Sequence, residues 1–275
     1  MLKKTVLIAL GLATVLVGCA LPSGQQTVGG ASGNKLRASG IPTGYYAKAE
    51  TAQGKELLAA LHAIVVPHKD LGYDQGRDVM FATVDDPDND DVVVGVYDGT
   101  RRSGIYSRGT ASDKDMNTEH TWPQSKGAVN AAKADLHHLF PADMEVNSRR
   151  GSYPFGEVLT PSYVTPEADE RGQQSRLGVN ANGATVWEPR ASERGNVARA
   201  LLYFYTCYGV KPSAITISVD NFRVELPVIL KWHQQDPVDA AERSRNDAVY
   251  AVQQNRNPYV DRPEFVAKIG ADWGL

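Results

Sequence analysis

Residues 117–125 read NTEHTWPQS, and residues 135–156 read DLHHLFPADMEVNSRRGSYPFG. The first stretch contains β-compatible residues and a Trp-Pro pair, and the residue before a proline is driven to an extended conformation. Glu119 and His120 are therefore predicted to lie near the end of a strand. Adjacent side chains of an ideal strand point to opposite faces, so these two reach one substrate only if the backbone bends, which Pro123 favours.

The second stretch predicts a helix with Pro141 in its first turn. Asp143, Asn147 and Arg150 have the spacing i, i+4 and i+7, which brings them to one helical face. Asparagine offers a neutral carbonyl oxygen, and arginine offers a planar fork that suits phosphate. A hard cation such as Mg²⁺ prefers oxygen ligands and often uses one or two protein groups together with substrate phosphate. Glu119 and Asn147 fit this requirement.

Residues 1–19 have the layout of a bacterial export signal. Two lysines precede an apolar run from Thr5 to Val17, which is too short to favour a membrane span. The end of the run, Leu16-Val17-Gly18-Cys19, resembles a lipobox and predicts lipid modification of Cys19 after cleavage before it. The alternative is an ordinary secretory signal that is cleaved further on. Lipidation would tether the mature protein to a membrane outside the cytoplasm.

Residues 20–43 are rich in Gly, Ser and Thr, which indicates a flexible spacer between the lipid anchor and a folded domain. If Cys19 is acylated, the mature chain contains only Cys207, so no disulfide forms within one molecule. Cys207 lies in an apolar run and is predicted to be a small buried residue.

Residues 44–275 are predicted to form a single domain of the α+β class, mainly helical around a small β element. A chain of 275 residues with 42% hydrophobic residues can bury one sizeable core. The formal net charge of −3 does not indicate a nucleic-acid binder as a whole, so any nucleic-acid groove is expected to be local.

Hydrophobic periodicity places the remaining elements. Residues 78–85 and 91–99 are predicted to pair as a β-hairpin across the turn-rich DPDND. Asp236 is predicted to cap the last long helix, with Pro237 at its first helical position. The predicted helices cover residues 45–65, 194–209, 225–235 and 236–259.

Four blocks stand in succession along the chain: EHTWPQS, DLHHLFPADMEVNSRRGSYPFG, ERGNVARALLYFYTCYG and LPVILKWHQQDPVDAAERSRNDAVYAVQQNRNPYVDRPEF. Together they resemble the bacterial endonuclease I family of secreted and periplasmic nucleases. The resemblance also takes in residues 45–65, so it extends from about Tyr45 to Phe265. Several motifs in the right order are far more specific than the Glu-His pair alone.

The resemblance implies a ββα-metal, or His-Me finger, active site that hydrolyses phosphodiester bonds of DNA, and often RNA, with little sequence specificity. The implied cofactor is Mg²⁺, which Mn²⁺ or Ca²⁺ can replace in binding, and the implied products carry a 5′-phosphate. Glu119 and Asn147 would be metal ligands, His120 the general base and Arg150 a phosphate contact. A neutral imidazole is the side chain best matched to accept a proton near neutral pH.

Asp135 and His137 match the Asp-Leu-His element of the family, which is expected to shape the site rather than perform the chemistry. Some relatives carry a carboxylate two residues earlier, where this chain has Lys133, so the group that protonates the leaving oxygen is not identified. Residues outside these motifs have plainer expected roles. Structural or secondary roles are expected for His138, Arg149, Glu188, Arg199 and His233.

Two other functions stay open at the level of sequence. The first is a non-catalytic surface lipoprotein that binds nucleic acid on a nuclease scaffold, which loss of Glu119, His120 or Asn147 would favour; all three are present. The second is a narrower phosphodiesterase that acts on a small molecule or on RNA only, because groove shape and loops determine the substrate range. Oligomeric state is not fixed by any sequence feature.

Overall fold

The computed structural model of the chain describes residues 40–211, 213 and 215–275. The predicted signal peptide with Cys19, and residues 20–39 of the predicted spacer, lie outside the described residues. All described residues belong to one compact unit. The backbone N–H of Gly40 donates to Asp247 Oδ2 at 3.2 Å, and its carbonyl accepts from Arg256 Nη1 at 3.3 Å. The contacts of the folded domain therefore include Gly40, slightly before the predicted boundary at residue 44.

Helices supply most of the regular structure in the described residues. No helix in this part of the chain combines the length and apolar character needed to cross a membrane. Two π-helical turns, Met80–Val84 and Tyr205–Gly209, continue α2 and α5. The α-helices are α1 (Gly54–Val65), α2 (Tyr73–Val79), α3 (Arg108–Ser112), α4 (Met144–Arg150), α5 (Arg194–Phe204), α6 (Asp220–Gln235), α7 (Ala240–Gln253), α8 (Pro258–Asp261) and α9 (Glu264–Ile269).

The strands of the described residues form three small antiparallel sheets, which confirms the predicted α+β class. The first sheet pairs β1 with β2, the second pairs β3 with β4, and the third has the order β5-β6-β7. The strands are β1 (Val92–Val94), β2 (Arg101–Ser103), β3 (Met116–His120), β4 (Leu139–Asp143), β5 (Thr160–Val164), β6 (Arg176–Val179) and β7 (Thr185–Glu188).

The β3–β4 pair leads directly into α4 and carries the sequence motifs that were singled out. Glu119 lies opposite Phe140 and His120 opposite Leu139, so the predicted strand around the Glu-His pair is confirmed. The predicted helix start at Pro141 is wrong, because Pro141 belongs to β4. The Asp143 carboxylate caps α4 instead, accepting from the backbone N–H groups of Glu145 and Val146 at 2.9 Å each.

Residues 78–85 do not form the predicted strand, since α2 and its π-helical continuation run through them. Met80, Phe81 and Val84 are all buried there, in a spacing that lies on one helical face. A short apolar run does not distinguish a strand from a buried helix by its periodicity. The hairpin is formed instead by β1 and β2, with Val93 opposite Arg102.

The regular structure from Arg194 onward is helical as predicted, but α7 begins later than expected, and β5, β6 and β7 precede it in the C-terminal half. Asp239 is its N-cap and accepts from the backbone N–H of Glu242 at 2.8 Å. Asp236, the predicted cap, accepts from the backbone N–H of Gly195 at 2.9 Å and so serves the first turn of α5. Residues separated widely in sequence thus join the ends of two helices.

The main core surrounds α5, whose residues from Val197 to Phe204 are all buried. Trp122 stacks on Phe204 with ring centroids 4.8 Å apart, and its indole N–H donates to the carbonyl of Lys126 at 3.1 Å. The chain leaving β3 is therefore anchored in the core two residues after His120. This anchor fixes the end of the strand that carries the Glu-His pair.

Candidate active site

A polar cavity of about 520 Å³ lies where β3, α2 and α4 meet. Its wall consists mainly of amide, hydroxyl and charged side chains, which suits a hydrophilic ligand. The lining residues are Tyr73, Arg77, Asn117, Thr118, Glu119, His120, Pro123, Gln124, Ser125, Asn147, Gly151 and Ser152. The structure thus brings Glu119, His120 and Asn147 together, whereas Arg150, Asp135 and His137 do not line this cavity.

Glu119 is held by one of its two carboxylate oxygens. Oε1 accepts a hydrogen bond from the Tyr97 hydroxyl at 2.7 Å and lies 3.1 Å from Arg150 Nε. Among the described residues, no hydrogen bond is made to Oε2. One oxygen therefore orients a buried carboxylate, and the other is left for a ligand in the cavity.

Asn147, like Glu119, is held by one atom of its side chain and leaves an oxygen without a hydrogen bond from the described residues. Its amide nitrogen donates to Asn117 Oδ1 at 2.8 Å and to the carbonyl of Thr118 at 3.4 Å. These contacts fix which end of the amide is the nitrogen and leave Oδ1 without a hydrogen bond from the described residues. The cavity therefore contains two oxygen donors, one charged and one neutral.

His120 is buried at the end of β3 and is oriented by a backbone carbonyl. Its Nε2 lies 3.2 Å from the carbonyl oxygen of Lys133, which can only accept. Nε2 therefore carries the proton, and Nδ1 has the lone pair. Gln124 Nε2 lies 3.5 Å from Nδ1. Burial, with a smaller contribution from His138, lowers the pKa of His120 to about 3, so the ring is neutral at physiological pH.

Arg150 was expected to contact phosphate, but its guanidinium contacts other groups of the protein. Besides its ion pair with Glu119, Nη2 donates to the carbonyl of Thr121 at 2.9 Å and Nη1 donates to the carbonyl of Gly151. The guanidinium also lies over the Phe155 ring, 4.5 Å from its centroid. Arg150 thus links the Glu119 carboxylate to the backbone carbonyls of Thr121 and Gly151.

Asp135 and His137 connect the loop before β4 to the helical layer. Asp135 accepts from the hydroxyls of Tyr203 and Tyr208 and from Gln253 Nε2, at 2.8 Å in each case. Burial alone would raise the pKa of Asp135, but neighbouring histidines and hydrogen bonds lower it to about 2. His137 Nε2 donates to the carbonyl of Asn255 at 3.2 Å. Both residues support the fold close to the cavity without entering it.

His68, Asp135 and Cys207 form the one His, Cys and carboxylate group in the described residues whose ligand atoms lie within 4.8 Å of one another. Both oxygens of Asp135 already accept hydrogen bonds, including one from the backbone N–H of His137. Burial raises the pKa of the Cys207 thiol, which disfavours the thiolate that binds metals. These contacts favour a structural cluster, with Cys207 buried as expected.

The remaining candidates have structural surroundings. Glu188 accepts from the Val158 backbone N–H and pairs with Arg176 and Arg194. Arg149 pairs with Glu145 at 3.0 Å on the exposed side of α4. Arg199, His138 and His233 are buried.

Several residues that line the cavity or contact Glu119 are not predicted by the sequence. Asn117 shares a strand face with Glu119 through the two-residue period, and this signal could have revealed it. Tyr97, Tyr73 and Arg77 come from segments distant in sequence, and no local pattern marks them. Gln124 lies within the NTEHTWPQS stretch, where no sequence pattern distinguishes it from a solvated side chain.

Comparison with known proteins identifies the family of this chain. The model of the family described as Endonuclease I matches residues 53–264. The chain belongs to the endonuclease I family. It is 35% identical to an extracellular ribonuclease of Bacillus amyloliquefaciens over 238 residues, which is 82% of this chain and 77% of that protein. An extracellular ribonuclease of Bacillus subtilis (strain 168) is 34% identical over a similar span.

Other relatives match a shorter part of the chain. A periplasmic deoxyribonuclease of Aeromonas hydrophila is 29% identical over 138 residues, 48% of this chain and 49% of that protein. The expected family resemblance is therefore confirmed. Family membership makes the protein a nuclease, a hydrolase that acts on phosphodiester bonds.

Proposed function

We propose that this protein is an exported endonuclease that hydrolyses RNA and DNA with little sequence specificity, with the help of a divalent metal ion, and leaves 5′-phosphate ends. The observation that carries the proposal is the convergence of Glu119, Asn147 and a neutral His120 on one polar cavity. Family membership supports the reaction class. The extracellular and periplasmic locations in the names of the relatives support export.

Glu119 and Asn147 fit a hard cation such as Mg²⁺. Each offers an oxygen that has no hydrogen bond from the described residues, and the cavity has room for the water ligands that Mg²⁺ retains. A bound divalent cation would offset the negative charge that develops on the phosphate. In our proposal Arg150 orients Glu119 and adds positive charge behind it, in place of the direct phosphate contact that the sequence suggested.

His120 is placed to act as the general base. Its Nδ1 lone pair, which has only a long 3.5 Å contact with Gln124 Nε2, would take a proton from an attacking water, while Nε2 keeps its proton on the Lys133 carbonyl. The carbonyl also stabilises the imidazolium that forms, because it accepts a hydrogen bond from a ring that becomes positively charged. A base fixed in this way needs no rearrangement at the moment of proton transfer.

RNA is included with DNA because of the relatives that cover most of the chain. The two proteins matched over 82% of the chain are named as ribonucleases, and the Aeromonas deoxyribonuclease is matched over 48%. Cavity contacts to phosphate would not distinguish bases, so little sequence preference is expected. A cleavage preference for one short sequence would contradict this part of the proposal.

Lipid attachment at Cys19 belongs to the same proposal, as the route by which the enzyme stays at a membrane outside the cytoplasm. Mass spectrometry of the mature N-terminus measures it directly. A diacylglycerol-modified cysteine is expected at the first position. An unmodified N-terminus that begins after Cys19 would rule the anchor out.

Cleavage assays of two variants test the catalytic proposal. His120→Ala is expected to lower single-turnover hydrolysis of RNA and plasmid DNA by roughly 10²–10⁴-fold, the usual contribution of a general base, with metal affinity retained. Glu119→Ala is expected to weaken metal affinity as well as rate, because a charged oxygen ligand is lost. His68→Ala is the matched control, since His68 lies outside the cavity lining.

Metal titration separates the two effects. Wild-type cleavage is expected to require added Mg²⁺ and to stop in EDTA. If His120→Ala hydrolyses nucleic acid at the wild-type rate in saturating Mg²⁺, His120 is not the base. If the wild type binds nucleic acid but never cleaves it, the chain is a binding protein on a nuclease scaffold.

A further inference from the structure

Two cations lie over one aromatic ring beside the proposed base. The guanidinium carbon of Arg77 is 4.2 Å from the ring centroid of Tyr73, and Lys133 Nζ is 4.0 Å from the same centroid. The Tyr73 ring in turn lies 5.6 Å from the His120 ring. Tyr73 and Arg77 line the cavity, and Lys133 contacts the Tyr73 ring from outside the cavity lining.

The position of Lys133 is tied to His120 through the main chain. The carbonyl of Lys133 accepts the hydrogen bond that orients His120, and the side chain of the same residue reaches the Tyr73 ring. The ammonium group is therefore held close to the proposed base by its own backbone. A substitution at Lys133 can remove the charge and still leave the carbonyl that holds His120.

Both cations retain donors that the protein does not use. Arg77 Nη2 contacts Asp74 at 2.6 Å, and Nη1 makes no hydrogen bond to a described residue. Asp74 is shared with Arg108, whose Nη2 lies 3.5 Å from its second oxygen. No carboxylate of the described residues lies within ion-pair distance of Lys133 Nζ. The cluster thus offers an excess of donors and positive charge next to the cavity.

We infer that Arg77 and Lys133, positioned by the Tyr73 ring, bind a nucleic-acid phosphate adjacent to the one that is cleaved. The inference rests on the proposed function, since it names a further part of the same substrate. An arginine fork and a lysine ammonium are the side chains that pair best with phosphate oxygens, and such contacts position a strand without reading its sequence. The ring that carries two cations is not free to stack a base.

Short substrates test the subsite through a ratio of rates. The thymidine dinucleotides TpT, pTpT and TpTp share one scissile bond and differ in a terminal phosphate. Full-length wild type is expected to have a higher kcat/KM for pTpT or TpTp than for TpT. This gain is expected to fall roughly tenfold in Arg77→Gln and in Lys133→Gln, as for the loss of a charge-assisted hydrogen bond.

Arg149→Gln is the matched control, because it removes the same charge from an exposed arginine of α4 outside the cavity lining. Its gain from the terminal phosphate is expected to equal that of the wild type. A variant that merely perturbs the fold would lower all three rates together and leave the ratio unchanged. An unchanged ratio in both Arg77→Gln and Lys133→Gln overturns the subsite.

A binding measurement decides the subsite even if no dinucleotide is cleaved, whereas the proposed function is tested separately by the cleavage of RNA and plasmid DNA. A fluorescein-labelled single-stranded oligonucleotide is titrated with each full-length protein in EDTA at several salt concentrations. Loss of one phosphate contact is expected to reduce the slope of log K against log salt by about 0.7 in each variant. A slope equal to that of the wild type in both variants overturns the inference.

Discussion

Two arginine–glutamate pairs in this protein are similarly buried but differ in how many oxygens of the glutamate the arginine contacts. Arg150 and Glu119 have side chains that are 1% and 4% exposed, and Arg199 and Glu242 have side chains that are 0% and 7% exposed. Arg199 contacts both oxygens of Glu242, with Nε–Oε1 and Nη2–Oε2 distances of 2.6 Å. In the first pair a single oxygen of Glu119 takes both the arginine and the Tyr97 hydroxyl.

The difference separates a structural ion pair from a site. A bidentate pair engages both carboxylate oxygens, so neither oxygen of Glu242 is free of a hydrogen bond. A pair held through one oxygen orients the carboxylate and leaves the second oxygen without a hydrogen bond from the described residues. Burial and charge alone do not distinguish these two cases; the distribution of donors between the two oxygens does.

Breaking the Arg199–Glu242 pair is expected to have the largest effect on stability. Arg199→Met leaves Glu242 buried without its partner, and the free energy of unfolding is expected to fall by about 3–5 kcal/mol. The rate per folded molecule is expected to stay near that of the wild type, because Arg199 lies outside the cavity. Urea denaturation and active-site titration measure the two quantities.

The double variant Arg199→Met/Glu242→Leu is the control for this first effect. Removing both charges is expected to restore most of the lost stability, since a buried ion pair is often worth no more than apolar residues of similar volume. A loss below about 1 kcal/mol for Arg199→Met alone would show that Glu242 is not effectively buried, and the contrast between the pairs would fail.

Site residues within one motif were predicted from the sequence more successfully than contacts between segments that are distant in sequence. Glu119 and His120 were assigned to a strand end from the Trp-Pro pair, and Asn147 to a helix, and the structure confirms both placements. These assignments depend on neighbours in sequence. Tyr97 could not be identified as a partner of Glu119, because its contact follows from the packing of β1 against the β3–β4 pair.

The errors in element assignment also have physical causes. Residues 78–85 were predicted as a strand because a short apolar run fits either a strand or a buried helix. Asp236 has the sequence of a helix cap, but its carboxylate serves α5 and Asp239 caps α7. In both cases the local sequence is compatible with two structures, and tertiary contacts determine which one forms.

His120 and His138 have rings 5.5 Å apart, but only His120 lines the cavity. His138 is fully buried, and burial lowers its pKa to about 4 from an ordinary value near 6.5. The unfolded chain therefore binds this proton first. The stability that His138 contributes is present above pH 6.5 and is lost as the pH falls towards 4.

His138→Gln is expected to flatten this part of the pH profile. Gln keeps an amide donor for the Ala132 carbonyl, which accepts from His138 Nε2 at 2.7 Å. Between pH 7 and 4.5 the free energy of unfolding of the wild type is expected to fall by about 2–3 kcal/mol more than that of the variant. Urea denaturation at each pH measures this, and parallel profiles would contradict the assignment.

The smallest expected effect sharpens the comparison most, because it removes a single atom that contacts the Arg150–Glu119 pair. Tyr97→Phe deletes the hydroxyl that donates to Glu119 Oε1 at 2.7 Å and leaves Arg150 in place. Glu119 then loses one of its two orienting contacts, so metal affinity in the cleavage assay is expected to fall roughly tenfold, about 1.4 kcal/mol. Tyr205→Phe is the matched control: it deletes a hydroxyl that donates to the Trp273 carbonyl at 2.7 Å, so stability should fall without a change in metal affinity. If both variants lower stability equally and neither changes the metal titration, Tyr97 serves the fold alone, and Glu119 is oriented by Arg150 without help from the hydroxyl.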